Sequence, residues 1–354
     1  MKIGSTKIKN AWAMYDWANS SYNLVITSTI FPAYYVAVTT NQAQGELSYV
    51  NFFGLKIINT ALQNYALAIV FLIVAITSPI LSSMADYRGN KKAFMRVFTF
   101  MGAAACGLLY FFTPERIEYG IIFFSLAALG FWSSLVFYNS YLPDIAAPED
   151  RDRLSAKGFA LGYIGSVLLQ IICFVIILQP TWFGLGTEDK TIGPRLSFLL
   201  VGLWWLGFAQ IPLSILPNNS ESNKKRKKHI LVNGFHELRL VWNEAKQIPA
   251  LKRYLFSFFL FSVGVQTVML VAASFSKKEI FPRDEDEPKL ILTIILIQLV
   301  AIIGALALSR LSKKIGNIPT LLTAILVWIG ICIWGYQINS QTEFYFLAVC
   351  VGLV

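Results

Sequence analysis

Long apolar runs alternate with short polar clusters along this chain, at roughly 17–39, 61–84, 94–113, 118–142, 156–179, 193–216, 251–275, 289–309, 319–337 and 343–354. All but the last approach or exceed the roughly 20 residues that carry a helix across a hydrocarbon core. Apolar residues fill the runs solidly instead of alternating in segments of about ten, as a barrel would require. In lipid only helices and closed barrels satisfy their own backbone groups, so the runs predict helices. The expected fold is an all-α membrane protein with about ten spans. The last run is a dozen residues long and stops at Val354 without a polar flank. Half a span is not viable in a bilayer, so the sequence is expected to be a piece of a longer chain.

Of 354 residues, 56% are hydrophobic and 14% charged, against about a quarter charged in a soluble domain. Twenty-two of the 30 lysines and arginines fall on one side if the N-terminus is placed inside, which predicts a cytoplasmic N-terminus. The expected location is a plasma or inner membrane. That asymmetry also accounts for the net charge of +10 without nucleic acid. The run Lys224–Lys228 lies in the largest inner loop, where anionic headgroups are its natural partner. The cysteines Cys106, Cys173, Cys332 and Cys350 lie scattered in apolar runs, and the two histidines, His229 and His236, share a polar loop. Neither pattern suggests a metal site or a disulfide framework.

The stretch 217–250 divides the chain into an N-terminal six-helix bundle, 1–216, a cytoplasmic linker, and an incomplete C-terminal bundle, 251–354. Leu231, Phe235, Leu238, Trp242 and Ala245 recur at helical spacing in the linker, which predicts an amphipathic helix on the inner membrane surface. An internal repeat supports the division: Ser82, Asp86 and Gly89 of SSMADYRGNKK align with Ser309, Lys313 and Gly316 of SRLSKKIGN. Each sequence follows the second helix of a half.

Asp16, Asn19, Ser20, Asn23 and Thr27 share one face of span 1 if that span is α-helical throughout. A central Asp facing lipid costs about 2.5–3.5 kcal/mol, so the face should turn inward. For Asp16 a second reading stands beside this one: a solvated acid near a helix N-terminus, favoured by the dipole. Pro32 is expected to kink the span. Tyr163, Ser166 and Gln170 share a face of span 5, and Asn139, Ser262, Gln266 and Gln298 lie in spans 4, 7 and 8. For each of these, interhelical hydrogen bonding competes with substrate contact. Gly158, Gly162 and Gly165 suggest close helix packing.

No nucleophile–base pair, metal motif, P-loop or cofactor motif accompanies the spans, which argues against an enzyme and against direct nucleotide drive. The neutral set Asn19, Asn23, Asn139 and Gln266 suits a small polar or zwitterionic solute, with Asp16 as the candidate proton carrier. A non-transporting scaffold or sensor of the same fold is the alternative.

SSMADYRGNKK resembles the loop signature of the major facilitator superfamily, matching it at Asp86, Gly89 and Lys91. YDWANSSY, FYNSYLPDIA and SAKGFALGYIGS together resemble its "unknown major facilitator" family, which includes autophagy-related vacuole effluxers credited with amino-acid export. The resemblance implies two pseudo-symmetric six-helix bundles around a central cavity, about two further spans, and secondary transport by alternating access. It also implies an inner-gate loop built on Asp86, Gly89 and Lys91.

Overall fold

The computed structural model describes residues 4–40, 48–88, 90–186, 188–218, 239–240, 242–276, 280, 287–338 and 340–354. Span 1 begins earlier than its apolar run suggests. The Ser5 side chain accepts from the Ile8 N–H and caps α1, Thr6–Ser21, satisfying one of the donors a first turn leaves unpaired. The chain runs on through a π-helical segment, Tyr22–Ile30, into α2, Phe31–Thr39. Pro32 accounts for the change of pitch: it has no N–H to give, and its ring crowds the carbonyl four residues back. A wider turn relieves that crowding. Within it the Ser28 and Thr29 hydroxyls donate to the carbonyls of Asn23 (2.9 Å) and Leu24 (2.8 Å), five residues back. Where a kink was expected at Pro32, the chain shows a nine-residue π segment that ends two residues before it.

A short antiparallel hairpin that the apolar pattern did not signal follows, β1 Tyr49–Phe52 and β2 Leu55–Ile58. Its turn places Phe53 and Gly54 at φ 48° and 83°. The remaining helices are α3 Asn59–Arg88, α4 Lys91–Leu108, α5 Ile117–Ser140, α6 Leu142–Ile145, α7 Pro148–Leu178, α8 Ile192–Ile215, α9 Pro249–Phe275, α10 Glu287–Ile315, α11 Asn317–Gln337 and α12 Gln341–Leu353. Every apolar run coincides with a helix. Among the described residues seven helices are long and apolar enough to cross a membrane individually.

The chain forms two units, Met1–Pro148 with Gly165–Phe235, and Glu149–Ile164 with His236–Val354, so α7 contributes to both. In the first unit α4 packs on α5 and α8, α1 on α8, and α3 on α5. Its core is aromatic: Phe31 stacks on Phe124 with centroids 4.0 Å apart, and Phe112 and Phe198 close around them. Glycine permits the closest approaches. A Cβ on Gly130 would stand 2.5 Å from the Gly102 Cα, and one on Gly202 2.7 Å from the Gly107 N. A Cβ on Gly165 would likewise stand 2.9 Å from the Trp17 carbonyl oxygen, the close packing expected there.

In the second unit α10 packs on α12 through Gly304 and Gly352, each against backbone oxygen of the other helix. Ile280, Ile331, Ile338, Phe344 and Leu347 form a core beside them. Gly316, the repeat's counterpart of Gly89, turns α10 into α11 at φ 90°, a conformation that side-chain-bearing residues rarely adopt. Of the linker, residues 242–246 are helical, with the Lys246 ammonium 5.2 Å from the Trp242 ring centroid. Leu231, Phe235 and Leu238 lie outside the described residues.

Gly130→Ala is expected to lower the thermal unfolding midpoint in detergent, at a cost of about 1–3 kcal/mol from overpacking. Gly207→Ala, where nothing lies within 4 Å of the added carbon, should be neutral or mildly stabilising. Equal midpoints for the two variants would remove close α4–α5 contact as a constraint.

Candidate functional site

Trp12, Tyr15, Asp16 and Asn19 occupy one face of α1, and each is at least 95% buried. The helix starts at Thr6, so Asp16 is almost three turns inside it. The solvated first-turn reading of Asp16 is therefore corrected: the carboxyl is 5% exposed and turned into the bundle. The Tyr138 hydroxyl on α5 donates to its Oδ2 at 2.7 Å. Trp12 holds that tyrosine from two directions. Their rings stack with centroids 4.3 Å apart, and the Trp12 indole N–H donates to the Tyr138 carbonyl at 2.9 Å. One turn away the Tyr15 and Thr99 hydroxyls share a hydrogen bond of 2.6 Å.

Asn19 is 1% exposed, and neither atom of its amide has a protein partner. An unpaired buried polar group costs about 1–3 kcal/mol, so this amide retains unmet hydrogen-bonding capacity. The polar face does not continue as α-helical spacing predicted. Beyond Ser21 the π segment advances fewer degrees per residue, and Asn23 is exposed while Thr27 is half-buried. The single stripe from Asp16 to Thr27 is thus split where the helix type changes. Thr29, in the same segment, donates to Gln170 Oε1 on α7 at 2.9 Å. For Gln170 the interhelical hydrogen bond is realised.

Of the other expected residues, Asn139 is exposed beside buried Tyr138, and Gln266 is exposed on α9 in the second unit. Lys91 pairs with Asp144 at 3.0 Å and also donates to the Ser140 carbonyl at 3.3 Å. Asp86 lies in the last turn of α3 with its side chain outside the described residues, as is Gly89. In the second unit Asp152 of α7 accepts from the Ser312 hydroxyl at 2.6 Å. Among the described residues no cluster of His, Cys, Asp or Glu could hold a metal, and the four cysteines are free.

Sequence reasoning missed Tyr138, Trp12, Tyr15 and Thr99. Tyr138 stands next to Asn139 in FYNSYLPDIA, but a stretch of aromatic residues offers no sign of which one finds the acid. The quoted segments meet in space. YDWANSSY and FYNSYLPDIA join through Asp16 and Tyr138, and SAKGFALGYIGS reaches the first through Gly165 and Trp17. Lys91 of SSMADYRGNKK reaches the second through Asp144.

A family profile described as "Vacuole effluxer Atg22 like" matches residues 4–354. The MFS-type transporter YxiO of Bacillus subtilis is 29% identical over 347 residues, covering 98% of this chain and 77% of that protein. Autophagy-related protein 22-1 of Aspergillus terreus is 25% identical over 312 residues, 67% of this chain and 51% of its own length. The chain thus spans about half the length of such fungal relatives. Among solved structures, the proton:xylose symporter XylE bound to 6-bromo-6-deoxy-D-glucose superposes with TM-score 0.65 at 14% identity, over 98% of this chain and 79% of that one. The E. coli fucose:proton symporter FucP gives 0.63 at 13%, over 98% and 80%. These establish the fold.

Tyr138→Phe leaves the buried Asp16 carboxyl without its donor. It is expected to destabilise the protein by about 1–3 kcal/mol, read as a lower midpoint of thermal unfolding. A midpoint equal to the wild type would show that the Asp16 carboxyl does not depend on this bond.

Proposed function

We propose that this chain, which belongs to the Atg22-like vacuole effluxer family of the major facilitator superfamily, moves a small polar or zwitterionic solute, amino acids among the candidates, by alternating access. Its fold is that of membrane transporters, and its relatives are permeases rather than enzymes. The observation that carries the finer reading is the buried Asp16 carboxyl with Tyr138 as its hydrogen-bond donor, one turn from the unpaired amide of Asn19.

A carboxylate taken out of water pays a large desolvation cost, and one hydrogen bond offsets only part of it. Taking up a proton removes the charge. Asp16 then suits a coupling role: it carries the proton while the hydroxyl of Tyr138 remains its neighbour and Trp12 holds Tyr138 in place. The Asn19 amide presents both a donor and an acceptor, which matches a solute bearing both. Exposed Asn23 and Asn139 supply further neutral polar groups from the same unit. A strongly charged solute would call for a buried counter-charge, and this set has none apart from Asp16.

The basic clusters support an N-terminus on the cytoplasmic side of a plasma or inner membrane. Lys91, tied to Asp144, supports a role for its loop in an inner gate.

With the full-length protein in proteoliposomes, an amino-acid and polar-solute panel under an imposed proton gradient should identify a solute that accumulates uphill. Asp16→Asn is expected to abolish that accumulation while insertion and expression persist. Unchanged uphill transport by the variant would remove Asp16 as the coupling group. No flux across the panel, with stable capture of a partner protein, would favour a scaffold or sensor instead.

A further inference from the structure

Helix α8 ends at Ile215, and its last carbonyls would lie unpaired were they not met by two cations from the start of α4. The Lys92 ammonium donates to the carbonyls of Ser214 (3.3 Å) and Leu216 (2.8 Å), and the Arg96 guanidinium to that of Leu213 (3.4 Å). A helix C-terminus carries the equivalent of about half a negative charge. Two full positive charges therefore overcompensate it, and the excess sits on Arg96. Lys92 is buried and spent on the backbone, whereas Arg96 is exposed and commits one of its five N–H donors.

Arg96 lines an open groove of about 510 Å³ between α4 and α8, together with Phe100, Gln210, Ile211, Leu213 and Ser214. No carboxylate lines it. Gln210 and Ser214 donate to carbonyls of their own helix, which leaves their oxygens free to accept. Phe100 and Ile211 supply an apolar wall, 41% and 40% exposed, and Val97 and Leu203 on the same two helices are exposed as well. Both helices are long and apolar enough to cross a membrane, so a surface of this kind suits acyl chains. Arg96 lies five residues past the start of α4, roughly 7–8 Å along its axis, near the end of a membrane-spanning helix, where basic side chains meet headgroups.

We propose that this groove binds the headgroup of an anionic phospholipid of the phosphatidylglycerol type. Arg96 holds the phosphate, and the Gln210 and Ser214 oxygens accept from the headgroup hydroxyls. The acyl chains lie along Phe100 and Ile211. The cation meets the phosphate, the acceptors meet hydroxyl donors, and the apolar wall meets the tail. A free anion would use only the first of these. The assignment needs a bilayer and not the solute or the coupling reading above.

The test is native mass spectrometry and thermal unfolding of the full chain, with phosphatidylglycerol, phosphatidylcholine or inorganic phosphate added in neutral detergent. Phosphatidylglycerol alone should be retained and should raise the unfolding midpoint. Arg96→Gln should weaken retention by about tenfold, the value of one charge-assisted hydrogen bond. Gln210→Glu, an exposed change that sets a negative charge in the groove, should do the same without touching the α8 cap. Lys313→Gln, an exposed cation in the other unit, should retain the lipid as the wild type does. The assignment is overturned if both groove variants keep full retention, if Lys313→Gln loses as much as they do, or if inorganic phosphate alone reproduces the shift.

Discussion

One buried carboxyl constrains the interior of the first unit. Asp16 has to be in α1 and out of lipid, so α1 must turn that face toward α4, α5 and α8. Once it does, Trp12, Tyr15 and Asn19 are carried inward with it, because all three lie within about one turn of it on the same face. Tyr138 must then come close enough to donate, and its position is held by the stacked Trp12 ring and the Trp12 indole N–H. The glycine contacts between α4, α5 and α8 are the steric complement of this arrangement. They let helices approach until aromatic side chains fill the remaining space.

The π segment from Tyr22 to Ile30 separates two environments along one span. Before it the α-helical face is buried and polar, and after it the aromatic residues of α2 join the Phe31–Phe124 core. Pro32 makes an uninterrupted α-helix unfavourable there, and the hydroxyls of Ser28 and Thr29 bond carbonyls that the looser ladder exposes. The Thr29 hydroxyl also reaches Gln170, so the irregular stretch is braced by α7. Irregular backbone within a membrane-spanning helix is tolerated where neighbouring protein resatisfies it.

Basic residues that mark the ends of spans have structural partners as well as topological meaning. Lys91 bonds Asp144 and the α5 C-terminus, Lys92 closes the end of α8, and Arg96 reaches the same helix end while remaining accessible. Three cations within six residues thus serve two helix ends, set by helix phase. Lys91 and Lys92 differ by about 100° around α4, enough to send one to α5 and the other to α8.

The number, type and approximate limits of the spans were legible in the chain, because a helix in hydrocarbon satisfies its backbone locally and apolar composition over about 20 residues suffices to mark it. The polar character of span 1, an irregularity near Pro32 and close packing at Gly165 of α7 were legible for the same local reasons. The start of α1 was not, since Thr6–Asp16 is amphipathic and buried by neighbours rather than by its own hydropathy. Nor was the fate of Asn23 and Asn139, since both counts of helical phase depend on contacts elsewhere. A π segment resets the first, and the choice of Tyr138 over Asn139 as the inward residue sets the second. Asp16 and Tyr138 are 122 residues apart, and no local preference joins them. Their bond exists because packing of α1 against α5 excludes water from the carboxyl and leaves one donor within reach.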